Sequence, residues 1–273
     1  MNGPSDISLT ARYTAATWEW LGLPHAARFT DWRGRALFRA SLVAGKVLPR
    51  RLGYAHLDGG IVPRHTFMDA WVRRHGFEQI VEIAAGYSPR GLMFAGEGVR
   101  YVEVDRPHVM AEKARLSAGV DKRPTFLGVD ATAPDFVDRV AAACAPGLKT
   151  AILNEGMSMY FTRESYVGVL RNFRALAERL DAPLLTDFIR DVRSTNSAAA
   201  LFMSLGKRAV WAIADHVHTY AKSEADVRAV FEEAGWRILD VHKPAADPAY
   251  TGGHKAFVTD WTYLVEAVPA GLP

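Results

Sequence analysis

The chain has 273 residues, 49% hydrophobic and 23% charged, with a formal net charge of +3. That size and balance suit a soluble globular protein with a sizeable core, and they give no case for a nucleic-acid or membrane partner. One cysteine, Cys144, excludes an internal disulfide and points to a reducing, cytoplasmic setting.

The amino-terminal "MNGPSDISLT" lacks the basic start and apolar run of a signal peptide, and no apolar stretch reaches the roughly 20 residues of a spanning helix. Charge is unevenly spread. Between Arg12 and Arg74 stand 11 basic and 4 acidic residues, a local +7, which leaves −4 for the remainder. Such a segment steers anionic ligands or simply clothes outer helix faces with solvated arginine.

In chain order, the first third has helical periodicity. Tyr13, Ala16, Trp20 and Leu21 share one face, and Leu37, Ala40, Ser41, Ala44, Val47 and Leu48 repeat the pattern up to Pro49. "HLDGGIVPR" then breaks the chain before a helix from about Arg64 to His75. Strand-like runs follow at Gln79–Ala85, Arg100–Asp105, Thr125–Val129, Thr150–Asn154 and Pro183–Ile189. They alternate with helical segments Pro89–Gly96, Pro107–Leu116, Pro134–Ala143 and Arg163–Leu180. This alternation predicts an α/β fold, a doubly wound, mostly parallel sheet covered on both faces.

A helical stretch from about Arg193 to His216 precedes "SEADVRAVFEEAG", in which Ser223 suits an N-cap and Gly235 a helix end. "WRILDV" and "AFVTDWTYLVEAV" then follow with no helix between them, so an antiparallel carboxyl-terminal strand is expected. The expected organisation is a helical cap over residues 1–75 and a Rossmann-like core over residues 76–273.

Chemistry concentrates at the carboxyl ends of the strands, where doubly wound sheets bind ligands. In "VEIAAGYSPRG" the strand turns at Gly86, and Ser88 with Pro89 suits the start of a helix. A dinucleotide fingerprint would show a second glycine; its absence argues against NAD and FAD. The next strand, "RYVEVDRP", ends in Asp105, spaced to accept from ribose hydroxyls, with Glu103 on the same strand face. Asp130 in "LGVDAT" ends the third strand, where it would accept from an adenine amino group while the Ala131 N–H meets a ring nitrogen. Glu155 in "ILNEGMSMYF" ends the fourth. Helix capping accounts for any one of these acids, and less well for three successive strand ends. No His/Cys/Asp cluster has metal-ligand spacing.

Those residues, in order from about Arg64 to Arg179, resemble the leucine carboxyl methyltransferase family of class I S-adenosylmethionine-dependent enzymes. They look closest to bacterial members that methylate carboxyl groups of aromatic polyketides. The resemblance implies that Arg64 binds the carboxylate of S-adenosyl-L-methionine, Gly86 its methionyl portion, Asp105 its ribose, and Asp130 with Ala131 its adenine. Glu155 would lie near its amino group. The family's Gly-Ala-Gly is here Ala84-Ala85-Gly86, and its Asp-Thr-Arg is Ser88-Pro89-Arg90, as in the polyketide branch. A planar carboxylate suits a bidentate guanidinium at Arg64, so Arg64→Ala is expected to weaken binding more than folding.

For the acceptor side, Arg90, Met157, Tyr160 and His216 are the substrate-binding candidates, and Tyr160 or His216 the catalytic ones. His218 and His254 are further candidate bases, and Met159 stands with Met157 beside the expected pocket. The expected partner is a small, aromatic, anionic acceptor, held by the arginines and by Trp18, Trp20, Phe29 and Trp32 of the cap. A carboxylate is already ionised and needs no base; a phenol needs one. Carboxyl methylation leads, with phenol methylation on the same scaffold and non-catalytic cofactor binding as alternatives.

Overall fold

A computed structural model describes residues 5–47, 57–189, 218, 220–250 and 262–271. Helices α1 (Ser5–Trp20) and α2 (Trp32–Val47) are joined by a 3-10 turn at Ala26–Arg28, and α3 spans Leu57–His75. The alternating core follows: β1 (Gln79–Ile83), α4 (Arg90–Gly96), β2 (Arg100–Asp105), α5 (Pro107–Leu116), β3 (Thr125–Gly128), α6 (Phe136–Ala143), β4 (Thr150–Asn154), α7 (Arg163–Leu180) and β5 (Leu184–Ile189). Then come α8 (Glu224–Glu233), β6 (Trp236–His242) and β7 (Thr262–Pro269). The expected helix from Arg193 to His216 lies outside the described residues.

The seven described strands are ordered β3-β2-β1-β4-β5-β7-β6. β1 to β5 run parallel, and β7 pairs antiparallel with both β5 and β6. The sheet is therefore the doubly wound, mostly parallel one the sequence predicts. Its order reverses between β1 and β4, the switch point where such sheets hold ligands.

The fully buried β1 and β4 are clothed on both faces. Val81 and Ile83 join the core beneath α6, α7 and α8, while Ile80 packs with Phe67, Met68 and Trp71 of α3. Alternation along the strand thus turns Glu82 toward the α3 face, against side chains of α3 and α4. No described helix is long and apolar enough to cross a membrane.

Two local expectations change. α3 begins at Leu57, so "LDGGIVPR" is the first part of a helix that carries Pro63 inside it. A proline ring meets the carbonyl four residues back, here that of Gly59. Arg64 therefore lies in the body of a helix rather than in its first turn. α4 starts at Arg90 with Pro89 as its N-cap and no side-chain cap, so the expected Ser88 cap with Pro89 at the first helical position is shifted by one residue; Ser88 Oγ accepts from the Arg90 N–H at 3.2 Å. At the other end of the core, Ser223 forms a full capping box with Asp226.

The amino-terminal helices lie on the carboxyl end of β1 and β2. Ala15 and Phe29 pack with Ala85, Tyr87, Leu92 and Met110. Arg12 donates to Asp31 and, across to α5, to Glu112. Glu112 also accepts from the Tyr87 hydroxyl, and the Arg12 guanidinium lies over the Tyr87 ring. Of the four cap aromatics, Trp18 and Phe29 are buried, whereas Trp20 is 43% and Trp32 71% exposed. Two of them are thus core, and the expected aromatic wall is correspondingly reduced.

Candidate active site

The turn after β1 is the tightest part of the site. Ala84 has φ 58° and Gly86 φ 47°, both in the left-handed region. Glycine takes that conformation freely; Ala84 occupies it against a Cβ–carbonyl clash. A Cβ on Gly86 would sit 3.7 Å from the Ala11 side chain of α1, so the cap closes over this turn. Asp105, at the end of β2, holds the turn from the side. Its Oδ2 accepts from the Gly86 N–H at 2.8 Å and its Oδ1 from the Arg106 N–H at 2.7 Å. Each oxygen has a second lone pair.

Asp130 is exposed after β3, and its Oδ1 accepts from the Thr132 N–H and hydroxyl at 2.8 and 2.6 Å. Ala131 is buried beside it, its carbonyl accepting from Asn172. The four residues Gly86, Asp105, Asp130 and Ala131 thus line the ends of three adjacent strands, in the order β1, β2, β3.

A buried charge network occupies the end of β4. Glu155 Oε1 accepts from Arg64 Nε at 2.9 Å, and its Oε2 from Arg90 Nη2 at 2.9 Å. His65 Nδ1 lies 3.0 Å from that second oxygen and 2.6 Å from Arg90 Nη2. Arg64 Nη1 donates to Asp187 Oδ2 at 2.7 Å, and Asp187 Oδ1 accepts from the Gly156 N–H at 2.7 Å. Gly156 has φ +76°, and a Cβ there would meet Arg64 Nη2 at 3.2 Å, so both conformation and space require glycine.

Arg90 has no exposed surface. Its Nε donates to Asp69 at 2.6 Å and its Nη1 to Glu82 at 2.5 Å, while Glu82 Oε2 accepts from the Tyr101 hydroxyl at 2.9 Å. A guanidinium so enclosed braces the site from within, and the expected contact between Arg90 and an acceptor is corrected on that ground. Above it, Trp18 of α1 stacks on the His65 ring with centroids 3.9 Å apart.

Electrostatics follow from this packing. Burial by itself raises a carboxyl pKa, but His65, Arg90 and Arg64 together hold Glu155 well below the usual carboxylate range. Asp187 goes the other way: burial raises it, and Arg64 opposes that only in part. The Arg64 fork is split between two acids, Glu155 through Nε and Asp187 through Nη1. The bidentate clasp expected from the sequence therefore has only Nη2, the nitrogen facing Gly156, outside those pairs.

Met157 is nearly buried, with Sδ accepting from Asn154. Tyr160 sits half-buried on the 3-10 turn Ser158–Tyr160, within electrostatic reach of Arg64. The His218 N–H donates to the Met159 carbonyl at 2.8 Å, which ties the chain ahead of α8 to this turn. His216 and His254 lie outside the described residues. Asp187, His65 and Asp69 are members of the network that the sequence did not single out, and Glu82 stood out only as an acid within the first strand, with no role assigned. The acids in β1 and β5 were visible only as polar residues within apolar strands.

The comparisons with known proteins bear on family and fold. The profile of the leucine carboxyl methyltransferase family matches residues 24–174. No curated protein matches the sequence. Among solved structures, a DUF574 family protein from Streptomyces avermitilis aligns with a TM-score of 0.60 at 15% identity, covering 94% of this chain and 97% of its own. TnmH aligns with a TM-score of 0.53 at 15% identity over 86% of this chain, which spans 59% of TnmH. Magnesium protoporphyrin IX methyltransferase from Synechocystis, crystallised with S-adenosylhomocysteine, aligns with a TM-score of 0.50 at 13% identity, over 76% of this chain and 82% of that one. At these identities the likeness is one of fold. With more than half its length matched by the family profile and a class I sheet to carry the site, the chain belongs to the leucine carboxyl methyltransferase family and uses S-adenosylmethionine as its cofactor.

Proposed function

We propose that this protein is an O-methyltransferase that converts a carboxylate of a small aromatic acceptor, of the polyketide type, into its methyl ester. The observation that carries the reading is the charge network at the end of β4, set beside the Gly86–Asp105 turn. It holds four buried acids, Glu82, Asp69, Glu155 and Asp187, against two guanidiniums, and that excess suits a cationic cofactor.

When bound, S-adenosylmethionine would supply a methyl group on a cationic sulfur, to be attacked in line by an acceptor oxygen so that the C–O bond forms as the C–S bond breaks and sulfur keeps the electron pair. The protein's task is alignment and exclusion of water. Asp105 takes the ribose hydroxyls on its remaining lone pairs. Asp130, through Oδ2, and the Ala131 N–H take the adenine edge. Glu155, kept ionised, faces the amino group, and Arg64 Nη2 faces the carboxylate. Gly86 leaves the space between.

Among the described imidazoles, His65 is 2% exposed and already sits between Glu155 and Arg90, beneath Trp18. It has no route to an acceptor hydroxyl. His218, whose N–H donates to the Met159 carbonyl, is the described imidazole on the acceptor side, so the choice of carboxylate over phenol rests on membership of the leucine carboxyl methyltransferase family. Tyr160 and Met157 border the acceptor side.

The test is turnover with paired aromatic acids and phenols under radiolabelled S-adenosylmethionine. Label released by mild alkali marks an ester and supports the reading. Alkali-stable label on phenols alone overturns it, leaving methyl transfer to a hydroxyl on the same scaffold.

A further inference from the structure

Beneath the β1–α4 turn lies a second buried ion pair, separate from the network around Glu155. Glu103 of β2 and Lys113 of α5 are both fully buried, with Nζ and Oε2 2.7 Å apart. Lys113 Nζ also donates to the Ala85 carbonyl at 3.4 Å. On the other side, Gly91 of α4 approaches so closely that a Cβ there would lie 2.1 Å from Glu103 Oε1. Phe29 of the cap roofs the ammonium, its ring centroid 5.5 Å from Nζ. One pair thus touches β2, α5, the first turn of α4 and the middle residue of Ala84-Ala85-Gly86.

We propose that Glu103 and Lys113 are positioning residues for S-adenosylmethionine, acting through the Ala85 carbonyl to set the shape of the turn that receives it. This rests on the placement of the cofactor at Gly86. The physical case is the cost of the alternative. Two apolar side chains would fill this space at no desolvation penalty, so a buried pair here is weak as a stabiliser. What an apolar pair lacks is a second donor for the Ala85 carbonyl, which also accepts from the Ser88 N–H at 3.1 Å, and that carbonyl lies between two residues in the left-handed region. A charged donor there resists relaxation of Ala84 toward its ordinary conformation.

The double substitution Glu103→Leu/Lys113→Met separates positioning from stability, because it removes both charges together. It is expected to unfold cooperatively with a midpoint near that of the unaltered chain. Its affinity for S-adenosylhomocysteine by calorimetry should be about tenfold weaker or more. In turnover, KM for S-adenosylmethionine should rise while kcat at saturating cofactor stays within about twofold. If the double variant does not fold, the isosteric Glu103→Gln takes its place, with an expected loss of about threefold. A folded variant that binds as tightly as the unaltered chain overturns the brace alone. An unaltered chain that binds no S-adenosylhomocysteine overturns the cofactor placement and the brace with it.

Discussion

Glu82 and Glu103 stand opposite one another in the register of β1 and β2, both buried and both on the α3–α4 face. Two carboxylates on neighbouring strands at this spacing repel, and each has its own cation: Arg90 for Glu82 and Lys113 for Glu103. Burial nevertheless lifts the Glu103 carboxyl to about 7, against the pull of Lys113 and with Glu82 adding to the rise. The site therefore rests on a floor of paired buried charge, and the consequences differ from one pair to the next.

Arg90 serves Asp69, Glu82 and Glu155 at once. Replacing it with methionine strands three buried acids and should destabilise the fold by about 3–5 kcal/mol. Arg90→Lys should recover little, because a point charge cannot reproduce the fork. Urea denaturation midpoints measure both; a near-neutral Arg90→Met would show that the acids relax to solvent.

Arg64→Ala no longer separates binding from folding as the sequence suggested, because Arg64 pairs with Glu155 and Asp187 inside the protein. The expected result is a loss of about 3 kcal/mol in stability together with weaker cofactor binding. A combined Arg64→Ala/Asp187→Asn variant should recover part of the stability and none of the affinity. Calorimetry on the folded fraction beside denaturation reads the two effects apart.

Glu155 gives the pH dependence a definite sign. Its folded value lies well below the ordinary 4.5, so its contribution is fully present above that value and is lost as pH falls from there toward the folded value. Asp187, raised by burial, opposes this slope over part of the same range. Net stability should fall on acidification below about pH 5, and Glu155→Gln should flatten that limb in thermal melts. An unchanged acid limb would assign it to other carboxylates.

Ala84 holds a left-handed conformation with a Cβ in place. Ala84→Gly removes a clash of about 1–2 kcal/mol and adds about 0.5–1 kcal/mol of backbone entropy to the unfolded chain, for a net gain of about 0.5–1 kcal/mol. A raised melting temperature checks this. Between the tryptophans the contrast is larger: Trp18→Ala should cost about 3–5 kcal/mol and Trp32→Ala less than about 0.5 kcal/mol, since one stacks inside on His65 and the other is mostly exposed.

The sheet and its strand ends were legible because their signals are local. Asp105 precedes a proline-led helix and Glu155 precedes a glycine, so each announces the end of a strand. Arg64 and Asp187 are 123 positions apart and meet only because α3 lies across β4 and β5, a pairing no local pattern encodes. Arg90 has the look of a surface arginine at a helix start; its burial depends on Glu82, eight residues earlier, facing the same side of the sheet. α3 was foreshortened by its own Gly59, Gly60 and Pro63, residues that stop most helices and here are carried inside one.

The position of β7 bears on how the molecule is assembled. It lies between β5 and β6, although it is the last of the described strands in chain order. Until residues 262–269 are available, β5 presents a bare edge and β6 has no neighbour, so five parallel strands must wait in an unfinished sheet. An apolar edge held open during synthesis is a template for pairing with other chains. β7 is thus the closing piece of the described sheet, and a chain without it would leave the β5 edge open to pairing with other chains.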